Sequence, residues 1–391
     1  MSRNALYVQS GGPTAVFNAS AYGVISEVLH HPKAIGRLYA ARYGTVGILE
    51  DQLIDLSQFE EKSFEKLCQT PSMAFGSCRY RMREYDEDDV DYRRYLNVLQ
   101  KYDIGYLFLN GGNGTLASAI KIERYLKEQN YDCNIILIPQ TVDNDIEGID
   151  HSPGFPSAAR HVVLTIAELA HDTRSYDTGL ITVAEVMGRN TGWLAASARV
   201  ACENGNNGPD LIYVPETEFS HEKFLEDVKA VYERKKKCFV VVAEGIRDEQ
   251  GKCIFELSNY KNGQPGGTAL YLADYLRERI ECKVRGVNLG LMQRCAIHTA
   301  SQLDLEESVR SGRRAVQEAI HGVSGIMVGN CRTDKGELKE QLVTFESAGK
   351  GEHAMPTTYI EENGCFIRRT FLDYIKPLIG EIPQYSEIIY K

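Results

Sequence analysis

The sequence predicts an α/β protein of two domains built on largely parallel, helix-flanked sheets. Three observations predict it. Short apolar runs bounded by Gly, Asn, Asp or Ser recur along the chain, the pattern of strands buried on both faces. Longer segments with helical spacing lie between them, and such alternation favours parallel pairing. The length of 391 residues, at roughly 100 to 200 residues per domain, allows two or three domains with a core that needs no staples.

Taken in order, the expected strands are Ala5 to Val8, Ile104 to Leu109, Asn134 to Ile138, Leu180 to Val186, Leu211 to Val214, Phe239 to Ala243 and Gly325 to Val328. The expected helices are Ala15 to Leu29, Leu116 to Lys127, Ser157 to Leu169, Trp193 to Val200, His221 to Lys235 and Gly267 to Ile280. The run Asp150 to Pro156 (Asp-His-Ser-Pro-Gly-Phe-Pro) is the best crossing between two domains. The charged stretches Arg79 to Arg94 and Arg234 to Lys237 read as solvated surface, with Arg79 as an exception.

Composition narrows the class. Apolar residues at 43% and charged residues at 25% are ordinary for a soluble globular chain and exclude disordered, collagen-like and coiled-coil architectures. Lys plus Arg total 44 against 54 for Asp plus Glu, a net charge of −10, which argues against a nucleic-acid or anionic-membrane partner. Any anionic ligand then needs a local cationic pocket. The 10 cysteines are scattered, without a Cys-x-x-Cys pair or clustering with histidine, so neither a zinc site nor a disulfide framework is expected. A glycine pair at Gly11 and Gly12 interrupts the N-terminus before a signal-peptide apolar region develops, and no apolar run approaches about 18 residues. The expectation is a soluble cytoplasmic protein.

In an open parallel sheet, ligands bind beyond the carboxyl ends of the strands. Five such ends carry unusual chemistry. The first continues as Ser10-Gly11-Gly12-Pro13-Thr14 and the second as Asn110-Gly111-Gly112-Asn113-Gly114-Thr115. Glycines at a strand-to-helix turn let backbone N–H groups approach a phosphate, although such a pair taken singly is more often a tight turn. Neither fits a P-loop or a dinucleotide fingerprint. The third end, Pro139-Gln140-Thr141-Val142-Asp143-Asn144-Asp145, offers two carboxylates, one to accept a proton from an attacking hydroxyl and one to organise hydrated Mg²⁺; an Asx-turn capping the next helix is the plainer alternative. The fourth, Glu185-Val186-Met187-Gly188-Arg189-Asn190, places an arginine where it can meet a transferring phosphoryl group, or simply form a surface ion pair. The fifth ends in Ala243-Glu244-Gly245.

Ser10-Gly11-Gly12, Gly76-Ser77-Cys78-Arg79, Gly111 to Thr115, Pro139 to Asp145, Met187-Gly188-Arg189, Ala243-Glu244-Gly245 and Gln293-Arg294, in this order, resemble the phosphofructokinase family over at least residues 5 to 330. The wording of Gln9 to Gly12, Ala74 to Tyr80, Ser152 to Phe155 and Gly192 to Ala196 is most similar to its pyrophosphate-dependent branch. The resemblance implies a donor domain of 1–155 plus about 292–345, a sugar-phosphate domain of about 156–291, a C-terminal extension of 346–391 packed on the body, and an active site between the domains. It makes Asp143 the base toward the sugar 1-hydroxyl, Thr141 a ligand of the transferring phosphoryl group, and Arg189 and Arg79 its charge neutralisers. Met187, Gly188, Arg189, Glu244, Arg285, Leu291 and Arg294, with Thr141 and Asp143, fall on the acceptor. Gly11, Gly12, Arg79, Gly112, Asn113, Gly114, Thr115 and Gln140 fall on the donor. Asn113 and Asp145 fall on Mg²⁺. Phosphoryl transfer needs mainly positioning and charge neutralisation, which these residue types supply.

The departures from the family pattern carry the substrate expectations. The pyrophosphate branch has Asp where this chain has Gly114, and Lys where it has Gln140, so the resemblance favours ATP as donor. Asn113 replaces the usual Asp of the glycine loop, which shifts the metal toward Asp145 or Asp143. Leu180 replaces a cation that a neighbouring subunit usually offers to the sugar 6-phosphate, and Leu291 replaces a His or Tyr. Arg285 and Arg294 remain, and Arg174 is the candidate to compensate. The leading expectation is a glycolytic ATP-dependent 6-phosphofructokinase acting on fructose 6-phosphate as a homodimer or homotetramer. The alternatives are a pyrophosphate-dependent enzyme, a kinase of another sugar or sugar phosphate, and a catalytically weak regulatory homologue.

Overall fold

The computed structural model describes residues 2–203, 208–257, 266–333 and 335–385. Its strands are β1 (Arg3–Gln9), β2 (Ile35–Ala41), β3 (Leu53–Asp55), β4 (Ile104–Gly111), β5 (Asn134–Pro139), β6 (Leu180–Val186), β7 (Leu211–Tyr213), β8 (Lys237–Ala243), β9 (Lys283–Asn288), β10 (Ile326–Arg332) and β11 (Leu338–Thr344). The chain divides into two units, Met1–Phe155 with Gln302–His353, and Pro156–Ser301 with Ala354–Lys391. The first change of unit falls inside the Asp150 to Pro156 run. The return falls after Ser301 rather than near 292, and the tail from 346 onward is split between the units rather than forming one extension.

The first unit is a seven-stranded sheet in the order β11-β10-β5-β4-β1-β2-β3. Its interior pairs are parallel, and only the edge pairs β2 with β3 and β10 with β11 are antiparallel. The two-residue period of a strand sorts its side chains to opposite faces. Leu6, Val8, Leu107, Leu109, Ile135 and Leu137 enter one apolar core. Ala5, Tyr7, Phe108, Ile136 and Ile138 enter the other. Helices must therefore cover both faces, as the continuous apolar runs require. On one face the helices Phe17–His30 and Gln302–Ile320 touch backbone to backbone. A Cβ at Gly23 would lie 2.2 Å from the Val309 carbonyl oxygen, and one at Gly312 would lie 2.3 Å from that of Ser20.

The second unit has a four-stranded, fully parallel sheet, β7-β8-β6-β9. Every residue of β6, its central strand, is buried. The Phe371–Ile379 helix belongs here. Its Tyr374 ring packs 5.0 Å from that of Trp193, while Arg160 donates to the Ile379 and Glu381 carbonyls at 2.6 Å each. Among the described residues no helix is long and apolar enough to cross a membrane. All ten cysteines are free.

Candidate active site

In the first unit, β5, β4 and β1 are neighbours, so their loops emerge side by side. Hydrogen bonds lace these exits together: Ser10 N donates to Asn110 O at 3.0 Å and Gln140 N to Gly111 O at 2.9 Å. Only glycine permits that approach at 111, since a Cβ there would stand 2.6 Å from the Ser10 carbonyl. A Cβ at Gly112 would lie 3.4 Å from that of Thr141, which measures how closely the glycine loop meets the Asp143 loop. The helix Asn113–Glu128 starts in this loop with Gly112 as its N-cap. The N–H groups of Asn113 and Gly114, which open the helix, have no helix carbonyl to pair with and, with the helix dipole, favour an anion. Gly114 has nothing within 4 Å of a Cβ, so the space beside it is open. Thr115 is buried and closes back on Gly112, its N–H donating to the Gly112 carbonyl at 2.9 Å.

The loop bearing Arg79 is tied to the β1 exit. Ala74 N donates to Asn18 Oδ1 at 2.8 Å and Phe75 N to Gln9 Oε1 at 3.2 Å. Gly11 N donates to Cys78 O at 3.3 Å, and Ser77 Oγ donates to Gly11 O at 2.8 Å. These bonds leave Arg79 exposed next to Gly11 and Gly12.

Thr141 and Asp143 are half-buried, and Asp143 N donates to Thr141 Oγ1 at 3.2 Å. Asn144 follows in the left-handed region at φ 55°. Its Oδ1 accepts from Ser152 N at 2.8 Å, so the Asx side chain holds the loop to itself. Asn113 Nδ2 donates to the Asp145 carbonyl at 3.0 Å, bringing together the two residues expected at Mg²⁺. Burial pushes the Asp145 carboxyl above the usual carboxylate range, with the Asn113 amide pulling the other way. Its Oδ1 is buried without a hydrogen-bond partner. An orphaned carboxylate oxygen beside an amide suits Mg²⁺, which characteristically takes one or two protein carboxylates and completes its shell with water and phosphate.

Gln140 departs from the donor set. It is 1% exposed, its Nε2 donates to Thr14 Oγ1 at 2.7 Å, and its Oε1 accepts from Ser20 Oγ at 3.1 Å. The side chain is spent inside the unit.

In the second unit, the exits of β6 and β8 meet. Glu244 N donates to Val186 O at 2.9 Å and Gly245 N to Gly188 O at 3.1 Å. Gly188 adopts φ 131°, a conformation that L side chains rarely adopt. Arg189 is exposed just beyond it, and Glu244 is half-buried. Gln293, flagged with Arg294 in the sequence, is buried and accepts from Met187 N at 2.9 Å while donating to Gly290 O at 3.0 Å. It thereby ties the turn carrying Leu291 and Arg294 to the end of β6. Glu185, the residue whose role sequence reasoning missed, is buried. It accepts from Gly267 N at 3.1 Å, Ala269 N at 2.9 Å and Asn288 Nδ2 at 2.8 Å. Burial raises its pKa, and those backbone donors pull it back. No local sequence signal announced it, because the Thr268–Arg277 helix has no acidic residue in its own first turn and Glu185 reaches its start only through the fold.

Met187, Gly188, Arg189, Glu244, Leu291 and Arg294 are thus brought to one end of this sheet, and Arg285 is not. Arg285 pairs with Thr182 across β6 and β9, five residues before Met187 and so about 17 Å from it at the usual strand rise. Its guanidinium lies 2.6 Å from Asp172 and stacks 5.3 Å from the centre of the Tyr176 ring. Leu180 is buried near the same end, in register with Lys237 and Lys283. Arg174 donates to the Ala170 and Gly208 carbonyls, both at 3.2 Å. Leu291 is 56% exposed.

Residues 4–319 match the profile of the family described as Phosphofructokinase. The chain belongs to the phosphofructokinase family. Its members are phosphotransferases with an alcohol acceptor, and the helix-flanked parallel sheets are the family's fold. A pyrophosphate–fructose 6-phosphate 1-phosphotransferase of Methylococcus capsulatus is 36% identical over 98% of this chain and 94% of its own length. A sulfofructose kinase of Alkalicoccus urumqiensis is 32% identical over 97% and 96%. The crystal structure of a pyrophosphate-dependent phosphofructokinase from Nitrosospira multiformis, 34% identical, superposes with a TM-score of 0.89 over 100% of this chain and 95% of that one.

Proposed function

We propose that the protein transfers the terminal phosphoryl group of ATP to the 1-hydroxyl of fructose 6-phosphate. The open space beside Gly114 carries the choice of donor, because it leaves room for a nucleotide where an Asp would set a negative charge. Asp143 accepts the proton of the attacking hydroxyl, the hydroxyl oxygen bonds to the γ-phosphorus, and the bond to the bridging oxygen breaks to release ADP. The glycine loops and Thr141 hold the donor, Arg79 and Arg189 neutralise the equatorial oxygens, and Met187, Gly188, Glu244 and Arg294 orient the acceptor. Asp145 and Asn113 hold Mg²⁺, which supplies charge neutralisation on the phosphates. Arg285, at the far end of its own sheet, acts on the acceptor of a second copy in a homo-oligomer.

Two observations favour other substrates. The full-length likeness to the Methylococcus enzyme favours pyrophosphate as donor. Buried Leu180, exposed Leu291 and the likeness to a sulfofructose kinase favour an acceptor whose anionic end is not a phosphate. A matrix of ATP and pyrophosphate against fructose 6-phosphate, sulfofructose and free fructose separates them. Turnover with ATP and fructose 6-phosphate is expected. Efficient pyrophosphate turnover would overturn the donor assignment, saturation with sulfofructose alone would overturn the acceptor, and no transfer in any well would leave the regulatory homologue.

A further inference from the structure

The run Asp150 to Pro156 does more than connect the units. It begins as the return arm of the loop that leaves β5 at Thr141, and the arms are stitched together: Thr141 N donates to Pro153 O at 3.1 Å, and Ser152 N to Asn144 Oδ1 at 2.8 Å. The arm is fastened to the rest of the first unit at three successive points: Asp150 N donates to Asn330 O at 2.8 Å, Gly154 N donates to buried Asp304 Oδ1 at 2.9 Å, and between them lies His151, which is wholly buried. Its Nδ1 lies 2.8 Å from Asp150 Oδ2, and its Nε2 lies 2.7 Å from Glu307 Oε2 on the Gln302–Ile320 helix. A neutral imidazole has one N–H, so it would turn a lone pair on one of these carboxylates. Only the imidazolium donates to both.

The surroundings fit that charge. Arg332 of β10 meets both oxygens of Asp150 at 3.1 and 3.2 Å, and Asn330 Nδ2 reaches Glu307 Oε2 at 3.2 Å. Arg310 lies 3.7 Å from Glu307 Oε1 and 3.4 Å from Glu340 of β11. With His151 charged, three cations (His151, Arg310, Arg332) face three carboxylates (Asp150, Glu307, Glu340). His353 approaches from the other side, its Nδ1 3.2 Å from the Asn144 carbonyl and its N–H donating to Asp145 O at 3.0 Å. Burial works against the His151 charge, but the hydrogen bonds and charges of Asp150 and Glu307 prevail and raise its pKa to about 9.

We infer that His151, as an imidazolium, is a positioning residue for Asp143: it fixes the arm to which residues 141–145 are stitched, so phosphoryl transfer fails when the imidazolium loses its proton. The inference rests on the reading of Asp143 as the base. The test compares the wild type with His151→Gln and Glu307→Gln, measuring kcat and donor KM from pH 7 to 10 and amide hydrogen exchange of 141–154. The wild-type kcat should fall on the alkaline side with a midpoint near 9. His151→Gln should lose about 10-fold or more in kcat, since small displacements of reacting groups cost up to 10²-fold, with donor KM within twofold, no such alkaline limb, and faster exchange in 141–154. Glu307→Gln, which keeps the imidazole and its bond to Asp150, should move the midpoint downward and guards against a His151 variant that fails to fold. An unmoved midpoint in Glu307→Gln, or faster exchange with unchanged kcat in His151→Gln, overturns the inference. Retained turnover in Asp143→Asn instead sinks the underlying reading.

Discussion

Replacing Gly114 by Asp isolates the donor assignment, because the substitution changes charge at the glycine loop with little cost to the fold. Residue 114 is the second residue of the Asn113–Glu128 helix, is not in a left-handed conformation, and has no atom within 4 Å of a new Cβ. Asp is a better helix residue than Gly by a few tenths of a kcal/mol. A carboxylate in the first turn adds about 0.3 to 1 kcal/mol through the helix dipole. The variant should therefore melt at or above the wild-type temperature. Its effect on ATP is opposite in sign. A new negative charge roughly 6 Å from one phosphate charge, at an effective dielectric constant of about 20, costs about 3 kcal/mol, or about 10²-fold in apparent affinity. Initial rates of ADP release at saturating fructose 6-phosphate should show KM for ATP raised by that order. A KM for ATP within threefold of wild type would refute the placement of the donor at this loop, and a melting point several degrees lower would refute the steric reasoning.

Asp143→Asn should fold normally and lose about 10² to 10⁴-fold in kcat, the usual worth of a positioned general base; circular dichroism with single-turnover kinetics reads both, and near-normal turnover would remove Asp143 from the mechanism. Gly312→Ala should destabilise the first unit by about 1 to 3 kcal/mol, as overpacking does, because its Cβ would meet the Ser20 carbonyl at 2.3 Å; an unchanged denaturant midpoint would show that the helices part without cost. For pH, His151 has a folded pKa of about 9 against a model-compound value of 6.5. Its contribution to stability is complete below the lower value and lost as pH rises through the upper one, so Tm should decline from pH 7 to 10 in the wild type and less in His151→Gln.

The strand ends were legible because apolar runs announce buried strands and the Gly, Asp and Arg residues after them have no packing role in such runs. Other parts were hidden by physics of the same kind. The Gln302–Ile320 helix turns Asp304, Glu307, Ser308 and Ser311 inward, so its buried face does not read as apolar. β9 is only half-buried and carries Lys283, Arg285 and Gly286, which masks the strand signal. The helix Val90–Lys101 begins inside a charged stretch read as mere surface, and its buried face is announced by Tyr92 and Tyr95. Gln140 lies beside the phosphate loop in sequence, but the two-residue period continues from Ile136 and Ile138 through Gln140. That parity points it at Thr14 and Ser20, while Thr141 falls on the other side. Arg285 was grouped with Arg294 by family pattern alone. The register of β9 against β6 separates them.

The likeness of the whole chain to pyrophosphate-using relatives and the ATP assignment do not compete on equal terms. Identity of 36% over 98% of the chain reports a shared fold, and a fold hosts more than one substrate preference. Donor choice rests instead on charge next to the phosphates. One carboxylate there is worth about 3 kcal/mol, enough to reverse a preference while changing a single residue in 391. Position 114 is open to that space, whereas the side chain at 140 is committed to two hydroxyls in the interior. A Lys at 140 would have to abandon those bonds and turn outward before its ammonium could reach a donor. The proposal of ATP as donor therefore rests on the open position and not on the buried one.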